Sequence, residues 1–408
     1  MNRVPFAVFV AFFVVALAAC GGSTSSGTGG ELPGLADPGA GGEVVGVEVV
    51  GGDEARDDAE TVAPADGVTA TDGTTGLDVA PGADIVGGCA QCAYGTLNGL
   101  TCAPDGKTVV SGVTVSIDTV DCAGNPLHLE ATSDAKGRYT LEGVPCGTQT
   151  VNLAKGSYKH TFAAGIEAGM DNEAANGRCF GATAAKLAVI TGRWDNLQVI
   201  LDNLKLKYDL YDSNDVDDSM STYNAAYELL TDSTKLNTYD VVFVNCGKVH
   251  YGIAADPKVQ ANLDAFVKKG GSFYGSDYAD AYVMDVWPWA MNEPDGYSIF
   301  NQTVNAEVID PPLFAYLGTN QQKIAYMLGP IATIKSPGKN PTTGEETMVH
   351  LRGEFKEYPG EIRPIMLSFQ PYPPKGGRVV YANFHHDEQT GALLSEVAKI
   401  LNYVVFDL

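Results

Sequence analysis

Basic residues are scarce in this chain, and they are not clustered. The 408 residues include 26 Lys and Arg against 50 Asp and Glu, which gives a formal net charge of -24 at pH 7. A surface that binds nucleic acid needs clustered lysines and arginines to neutralise phosphates. The sequence therefore predicts no nucleic-acid partner.

Long apolar runs are missing beyond the N-terminus. No later segment approaches the about 18 consecutive apolar residues of a membrane-spanning helix. The single run, Val4–Ala16, follows Asn2 and Arg3. It is too short to span a bilayer comfortably and is typical of a signal-peptide core.

The run ends in Leu17-Ala18-Ala19-Cys20, which resembles the lipobox of bacterial lipoproteins. The resemblance implies that residues 1–19 are removed and that Cys20 is lipidated, so that the membrane is a partner and the protein lies outside the cytoplasm. Gly21, rather than Asp, follows the cysteine, which by resemblance to enterobacterial sorting favours the outer membrane or cell surface. The alternatives are an ordinary secretory signal cut after Ala19 and a membrane anchor.

Aromatic residues are absent from Gly21–Gly88, where Arg56 is the only basic residue. Thirteen of the 50 acidic residues fall in this segment. Such a composition buries too little apolar surface to offset chain entropy, and its acids repel one another. We therefore predict a disordered, acidic tether over residues 20–88.

Cysteines cluster immediately after the predicted tether. The six are Cys89, Cys92, Cys102, Cys122, Cys146 and Cys179. An even cluster outside the cytoplasm indicates disulfides, although spacing does not choose among the pairings. The alternative is a metal site at Cys89-Ala90-Gln91-Cys92, but a second Cys-x-x-Cys or a histidine pair is missing. We predict neither a metal nor a cofactor.

Residues 89–180 alternate short β-type runs with turn signals, which predicts a small antiparallel β-sandwich. The expected strands cover residues 113–117, 127–131, 138–141 and 148–153. In the turn between the second and third, Asp134 is expected to accept hydrogen bonds from backbone amides and Gly137 to take a positive φ.

Three strings in this region, Ser111–Val115, Ser133–Tyr139 and Gly143–Gly147, resemble carboxypeptidase regulatory-like domains of the transthyretin and carbohydrate-binding-like type. The resemblance implies a non-catalytic module, with a glycan or a surface protein as the candidate partner. The sugar-binding label of the wider fold does not extend to these positions.

From residue 185 to 408, β-type and helical patterns alternate, which predicts a flavodoxin-like, doubly wound α/β domain. Strands are expected at residues 186–191, 208–211, 241–245, 272–274, 365–369 and 378–384, and helices at 197–204, 223–231, 256–270 and 389–405. The segment of about 287–364 does not follow this alternation of strands and helices, and we interpret it as an insertion or lid.

Two strings in this domain, Gly275–Ala279 at a strand-to-helix turn and Phe384–Asp387 after a late strand, resemble the class I glutamine amidotransferase-like family, which includes ThuA-like proteins. In that family the turn presents a cysteine nucleophile, and the late string supplies a histidine and an acid. Here His385 and Asp387 match the late string, whereas Asp277 replaces the cysteine and His386 replaces a proline.

The replacement argues against amide hydrolysis, because a carboxylate is a far poorer nucleophile toward amides than a thiolate. We expect a non-catalytic module whose cleft, beside Asp277 and His385, includes Cys246, Tyr278 and His386. The alternative is a hydrolase of sugars or esters that uses His385 as base, supported by Asp387 or Asp277.

Two further patterns contain residues that could bind metal cations. Residues 212–219 offer oxygen ligands for Ca²⁺ but lack the glycine and distal glutamate of an EF-hand, so a solvated acidic turn is favoured. Residues 385–388 read His-His-Asp-Glu. Adjacent side chains of an extended segment point apart, so at most two of these four are expected to meet one ion.

Overall fold

The computed structural model describes residues 89, 92–174, 178–213, 224–292, 301–327, 331–386, 389 and 391–408. They lie within one compact unit, Val79–Leu408. Cys20, the predicted tether, Asp387 and most of the acidic loop at 214–219 lie outside the described residues. The described residues form two main parts, the two-sheet region (residues 92–174) and the α/β region (residues 185–408).

The two-sheet region contains seven strands. They are β1 (Tyr94–Leu100), β2 (Thr114–Val120), β3 (Pro126–Thr132), β4 (Arg138–Pro145), β5 (Gly147–Lys155), β6 (Tyr158–Ile166) and β7 (Asp171–Glu173). One sheet has the order β4-β1-β7 and the other β3-β2-β5-β6. Leu97 of the first sheet and Val115 and Val151 of the second belong to one buried cluster, so the two sheets share a core.

The turn before β4 forms as the sequence predicts. The Asp134 carboxylate accepts hydrogen bonds from the backbone N–H groups of Lys136 and Arg138, each at 2.8 Å, and Gly137 has φ 74°. The side chain thus satisfies amides that the turn leaves without a backbone partner.

The six clustered cysteines form three disulfides, as the sequence predicts. The pairs are Cys89–Cys146, Cys92–Cys122 and Cys102–Cys179, with Cα–Cα distances of 5.8, 5.4 and 4.3 Å. All three link residues of the two-sheet region or its flanks.

Nine strands form one sheet in the α/β region, whose described residues contain eleven strands in all. Its strands are β8 (Leu187–Ile190), β9 (Tyr208–Tyr211), β10 (Val241–Val244), β11 (Ser272–Ser276), β12 (Met291–Asn292), β13 (Gln302–Val308), β14 (Gln321–Tyr326), β15 (Ser336–Pro337), β16 (Met348–Glu354), β17 (Ile362–Phe369) and β18 (Val379–Ala382). The sheet order is β14-β13-β16-β17-β18-β11-β10-β8-β9, and β12 pairs with β15 separately.

Eight α-helices accompany the strands in the part of the chain that the structure describes. They are α1 (Gln198–Asn203), α2 (Ala225–Thr231), α3 (Ser233–Leu236), α4 (Val249–Ala254), α5 (Pro257–Lys268), α6 (Asp280–Val286), α7 (Pro311–Leu317) and α8 (Ala392–Asp407). None of these helices, which are the ones that the described residues form, is long and apolar enough to cross a membrane.

Five strands of the large sheet, β9-β8-β10-β11-β18, run parallel, and both faces of this part are covered. Leu187 and Val189 of β8 point into one buried cluster, which includes residues of α1 and α8. The alternate residues Ala188 and Ile190 point into a second cluster with α2 and α5. Continuous apolar strands are therefore stable here because neither face meets water.

The segment treated as an insertion or lid extends this sheet. Strands β13, β14 and β16 come from it and pair antiparallel with one another and with β17. Val304, Ala306 and Val308 alternate with more exposed residues along β13, as expected of a strand with one buried face.

The two-sheet region and the α/β region pack together without a break in the core. The Tyr158 and Phe406 rings lie 4.8 Å apart, and Lys155 Nζ lies 2.9 Å from Asp407 Oδ1. Buried residues of both regions belong to one hydrophobic cluster.

Candidate functional site

Three neighbouring parallel strands end beside one another and carry the site residues predicted from the sequence. Cys246 lies two residues after β10, Asp277 directly follows β11, and His385 lies three residues after β18. Their exposed fractions are 0%, 1% and 2%. Sites in open α/β sheets form at the carboxyl ends of the strands, and the structure brings these three side chains together there.

Asp277 occupies a constrained turn between β11 and α6. Its φ is 41°, a left-handed conformation that residues with a Cβ seldom adopt. Two residues earlier, a Cβ placed on Gly275 would lie 2.9 Å from the Cβ of Ala279. The tight turn therefore depends on glycine at 275 and holds Asp277 at its apex.

Both oxygens of the Asp277 carboxylate are engaged. Oδ1 accepts a hydrogen bond from the Ala332 backbone N–H at 2.7 Å. Oδ2 accepts one from the Cys246 thiol at 3.2 Å and lies 3.0 Å from Nε2 of His385. The hydroxyl of Tyr381 donates to the Asp277 carbonyl oxygen at 3.0 Å. The carboxylate thus connects three strand ends to the segment that contains Ala332.

Cys246 is a thiol rather than a ready nucleophile. Its burial, followed by the nearby charge of Asp277, raises the pKa of the thiol well above its ordinary value. The backbone at Gly192 also packs closely against Cys246, because a Cβ on Gly192 would lie 2.1 Å from the Cys246 carbonyl oxygen. A protonated, enclosed thiol attacks poorly, since the thiolate is the nucleophile.

Tyr278 and His386 flank the three central residues. The Tyr278 ring stands edge-on to Trp194, with the ring centroids 5.6 Å apart, and burial raises the pKa of its hydroxyl. The backbone N–H of His386 donates to Asp195 Oδ1 at 2.9 Å. Both residues are 5% exposed, so they form part of the packed wall.

The three central side chains also have the donor atoms of a metal site. Cys246 Sγ, an Asp277 carboxylate oxygen and a His385 ring nitrogen all lie within 4.8 Å of one another. His385 therefore meets ligand-type residues that follow two other strands, whereas Asp387 and Glu388 of its own string lie outside the described residues.

A second polar constellation lies elsewhere in the sheet. His350 on β16 places Nδ1 2.8 Å from Asp310 Oδ2 and Nε2 2.7 Å from the Ser368 hydroxyl. This connectivity is that of an acid–histidine–serine relay. The exposed fractions of the three residues are 2–4%, and Ser368 does not line the nearby cavity.

That cavity has a volume of about 390 Å³ and lies where the two-sheet region meets the α/β region. Lys155, Asp310, His350, Arg378 and Tyr403 line it. Asp310 Oδ1 is buried and has no hydrogen-bond partner among the described residues. An acceptor of this kind is costly to bury unless something donates to it.

A scan of protein-family models and a search of curated proteins gave no match to this chain. Among solved structures, the chain is similar to PurLQS from Thermotoga maritima, with 11% identity, coverage of 54% of this chain and 98% of that chain, and a TM-score of 0.36. A glutamine amidotransferase from Thermotoga maritima has 12% identity, coverage of 54% and 95%, and a TM-score of 0.32. The glutaminase domain of Trypanosoma brucei CTPS with bound acivicin has 11% identity, coverage of 54% and 93%, and a TM-score of 0.33. Likenesses at this level carry no argument about activity.

Sequence reasoning identified the residues of the first site but missed the second. His350 and Asp310 are separated by 40 positions, and Ser368 follows His350 by 18, so no short motif contains them. A usable signal was the Asp310-Pro311 pair, which marks the start of a helix. It would have placed the acid at a helix end without indicating its partner.

Proposed function

We propose that this protein is a lipoprotein anchored outside the cytoplasm through Cys20, whose folded part is a non-catalytic ligand-binding module. In this proposal the α/β region is a degenerate glutamine amidotransferase-like domain, and the two-sheet region is of the carboxypeptidase regulatory-like type. The three disulfides support an oxidising compartment, because such bonds persist outside the cytoplasm.

The observation that carries the non-catalytic proposal is the state of Asp277. The residue is 1% exposed, and its two carboxylate oxygens contact Ala332, Cys246 and His385. A nucleophile or general base must come within hydrogen-bond distance of the substrate. The family's catalytic position is instead used to connect loops.

We place the ligand site in the cavity that contains Asp310 and His350. Its volume of about 390 Å³ suits a small molecule. A hydroxyl-rich ligand such as a sugar would donate to the Asp310 oxygen and accept from the cationic side chains of the cavity.

The binding test uses the full-length protein in detergent and a panel of monosaccharides and oligosaccharides, measured by saturation-transfer NMR and calorimetry. We expect Asp310→Asn to weaken binding of the ligand that the panel identifies by at least about tenfold, the scale of one charge-assisted hydrogen bond. The matched control is Glu130→Gln, an exposed acid of the two-sheet region that does not line the cavity. Equal affinity of wild type and Asp310→Asn would place the ligand elsewhere.

The catalytic alternative is tested on the same preparations with ester, glycoside and glutamine substrates. We expect no turnover by wild type or by His385→Ala. A wild-type activity that falls about a hundredfold or more in His385→Ala, the scale of a general base, would replace the binding proposal with the hydrolase.

A further inference from the structure

Three side chains that can ligate a metal meet where Cys246, Asp277 and His385 are in contact. A structural hydrogen bond would need only one donor and one acceptor. A thiol, a carboxylate and an imidazole converge from three adjacent strand ends, with exposed fractions of 0–2%. These three groups are the protein ligands that zinc uses, and catalytic or structural zinc sites combine them in sets of three or four.

The observed spacing is close to that of a coordinated ion. Metal–sulfur bonds of about 2.3 Å and metal–oxygen or metal–nitrogen bonds of about 2.0 Å place tetrahedral neighbours about 3.3–3.5 Å apart. Here the Cys246 sulfur lies 3.2 Å from Asp277 Oδ2, and His385 Nε2 lies 3.0 Å from the same oxygen. Insertion of an ion therefore requires the oxygen to move only a few tenths of an ångström away from the sulfur and from the nitrogen, which lie within 4.8 Å of each other.

The orientation of the carboxylate is set from outside the group. Oδ1 of Asp277 is held by the Ala332 N–H at 2.7 Å, and the Asp277 carbonyl oxygen is held by the Tyr381 hydroxyl at 3.0 Å. Oδ2 is thereby left facing the sulfur and the imidazole. Hydrogen bonds that orient a ligand in this way are typical of metal sites.

Charge balance favours a divalent ion at this position. A thiolate and a carboxylate together carry two negative charges, which the ion cancels, while His385 binds through its neutral ring. The loaded site is thus neutral overall, and burying a neutral group avoids the cost of isolated buried charges.

We propose that Cys246, Asp277 and His385 bind one Zn²⁺ ion, which cross-links the loops after β10, β11 and β18. Binding breaks the Cys246 S–H bond, forms a sulfur–zinc bond and releases one proton to solvent. Asp277 coordinates through Oδ2 and His385 through Nε2, which leaves one position for water. This site shares no residue with the cavity at Asp310, so zinc binding and ligand binding in that cavity are tested independently.

The first test is the zinc content of wild-type full-length protein after equilibration with Zn²⁺ and gel filtration. We expect about one ion per chain and an increase in melting temperature that chelation reverses. Wild type with no zinc above the buffer level overturns the proposal, and this result does not depend on any variant folding.

The second test replaces zinc with Co²⁺, whose thiolate complexes have a sulfur-to-cobalt charge-transfer band in the near ultraviolet. Among the described residues Cys246 is the one cysteine outside a disulfide, so we expect Cys246→Ser to remove the band. Cys20→Ala, which removes the predicted lipidation cysteine, should keep it.

The variant His128→Gln distinguishes cobalt bound at the protein surface from cobalt bound at the proposed site. His128 is exposed and lies 2.7 Å from Asp118 and 3.6 Å from Glu130, so it is able to hold a stray ion at the surface. The cobalt spectrum should survive this change and be lost in His385→Gln. A spectrum that follows His128, or that persists in Cys246→Ser, contradicts the proposed ligands.

Discussion

His250 shows how a single buried residue couples the stability of the fold to pH. It lies on α4, is 0% exposed, and places Nε2 2.8 Å from the Asn245 carbonyl oxygen and Nδ1 3.1 Å from the Tyr282 hydroxyl. Burial lowers the pKa of His250 from 6.5 to about 4. The neutral ring is therefore the form that fits the folded protein.

We predict that this histidine makes the protein acid-sensitive. Between pH 6.5 and 4 the unfolded chain binds a proton at residue 250 and the folded chain does not. The free energy of unfolding therefore decreases as the pH is lowered. From the pKa of about 4, the loss across this window is about 3 kcal/mol. Urea unfolding of wild type and His250→Gln at several pH values measures it.

The difference between the two unfolding curves isolates His250, because carboxylates contribute equally to both proteins. We expect the advantage of wild type over His250→Gln to shrink by about 3 kcal/mol from pH 7 to pH 4. Parallel pH profiles would show that the ring is accessible to protons in the folded state.

The residues of the first site could be proposed from the sequence because a family resemblance aligned Asp277 and His385 with known positions. The parallel strands then brought Cys246 beside them. The relay of Asp310, His350 and Ser368 could not be predicted, since it depends on antiparallel pairing of β16 with β17 and on a register shift beside His350. Long-range pairing of this kind leaves no local signal.

Two turns in the two-sheet region have the same hydrogen-bonded structure. In each, an Asp carboxylate accepts hydrogen bonds from backbone N–H groups two and four residues later: Asp121 in the turn after β2 and Asp134 in the turn after β3. Gly124 has φ 82° and Gly137 has φ 74°. The surroundings of the two glycines differ. A Cβ on Gly137 would lie 2.7 Å from the Thr101 carbonyl oxygen, whereas a Cβ on Gly124 would have no atom within 4 Å.

We predict that alanine is tolerated far better at 124 than at 137. Gly124→Ala should cost about 1 kcal/mol, the price of a left-handed conformation alone. Gly137→Ala adds a collision with the backbone and should cost about 3 kcal/mol. Urea unfolding of both variants provides the comparison, and equal losses would mean that the chain near Thr101 yields to the new methyl group.

Elements with strong local signals were predictable, and others were not. Helix α5 has Asp256 as its cap, Pro257 in its first turn and Gly270 beyond its end, and the structure has each of these features. Strand β13 was missed, although Val304 and Val308 lie on its alternating buried face. The alternating pattern of a strand was present in the sequence. The strands that pair with β13, which are β14 and β16, are brought to it only by the tertiary structure.

We predict that attachment of the protein to the membrane depends on Cys20. Cys20→Ala should remove lipid labelling and release the protein from the membrane fraction, because the thiol is the acceptor of the lipid. Metabolic labelling with a fatty-acid analogue, followed by fractionation, measures both effects.

Cys246→Ser is the matched control for this experiment, since it also removes one thiol but should leave labelling intact. If Cys20→Ala stays in the membrane fraction as fully as wild type, the anchor prediction is wrong.

The pairing of the first two disulfides has a mechanical consequence. Cys89 is joined to Cys146, which follows β4, and Cys92 is joined to Cys122, which follows β2. Any pull on the chain from its N-terminal side meets these covalent links before it reaches β1. Such a load passes into the ends of two other strands, and β1 cannot be peeled from its neighbours one hydrogen bond at a time.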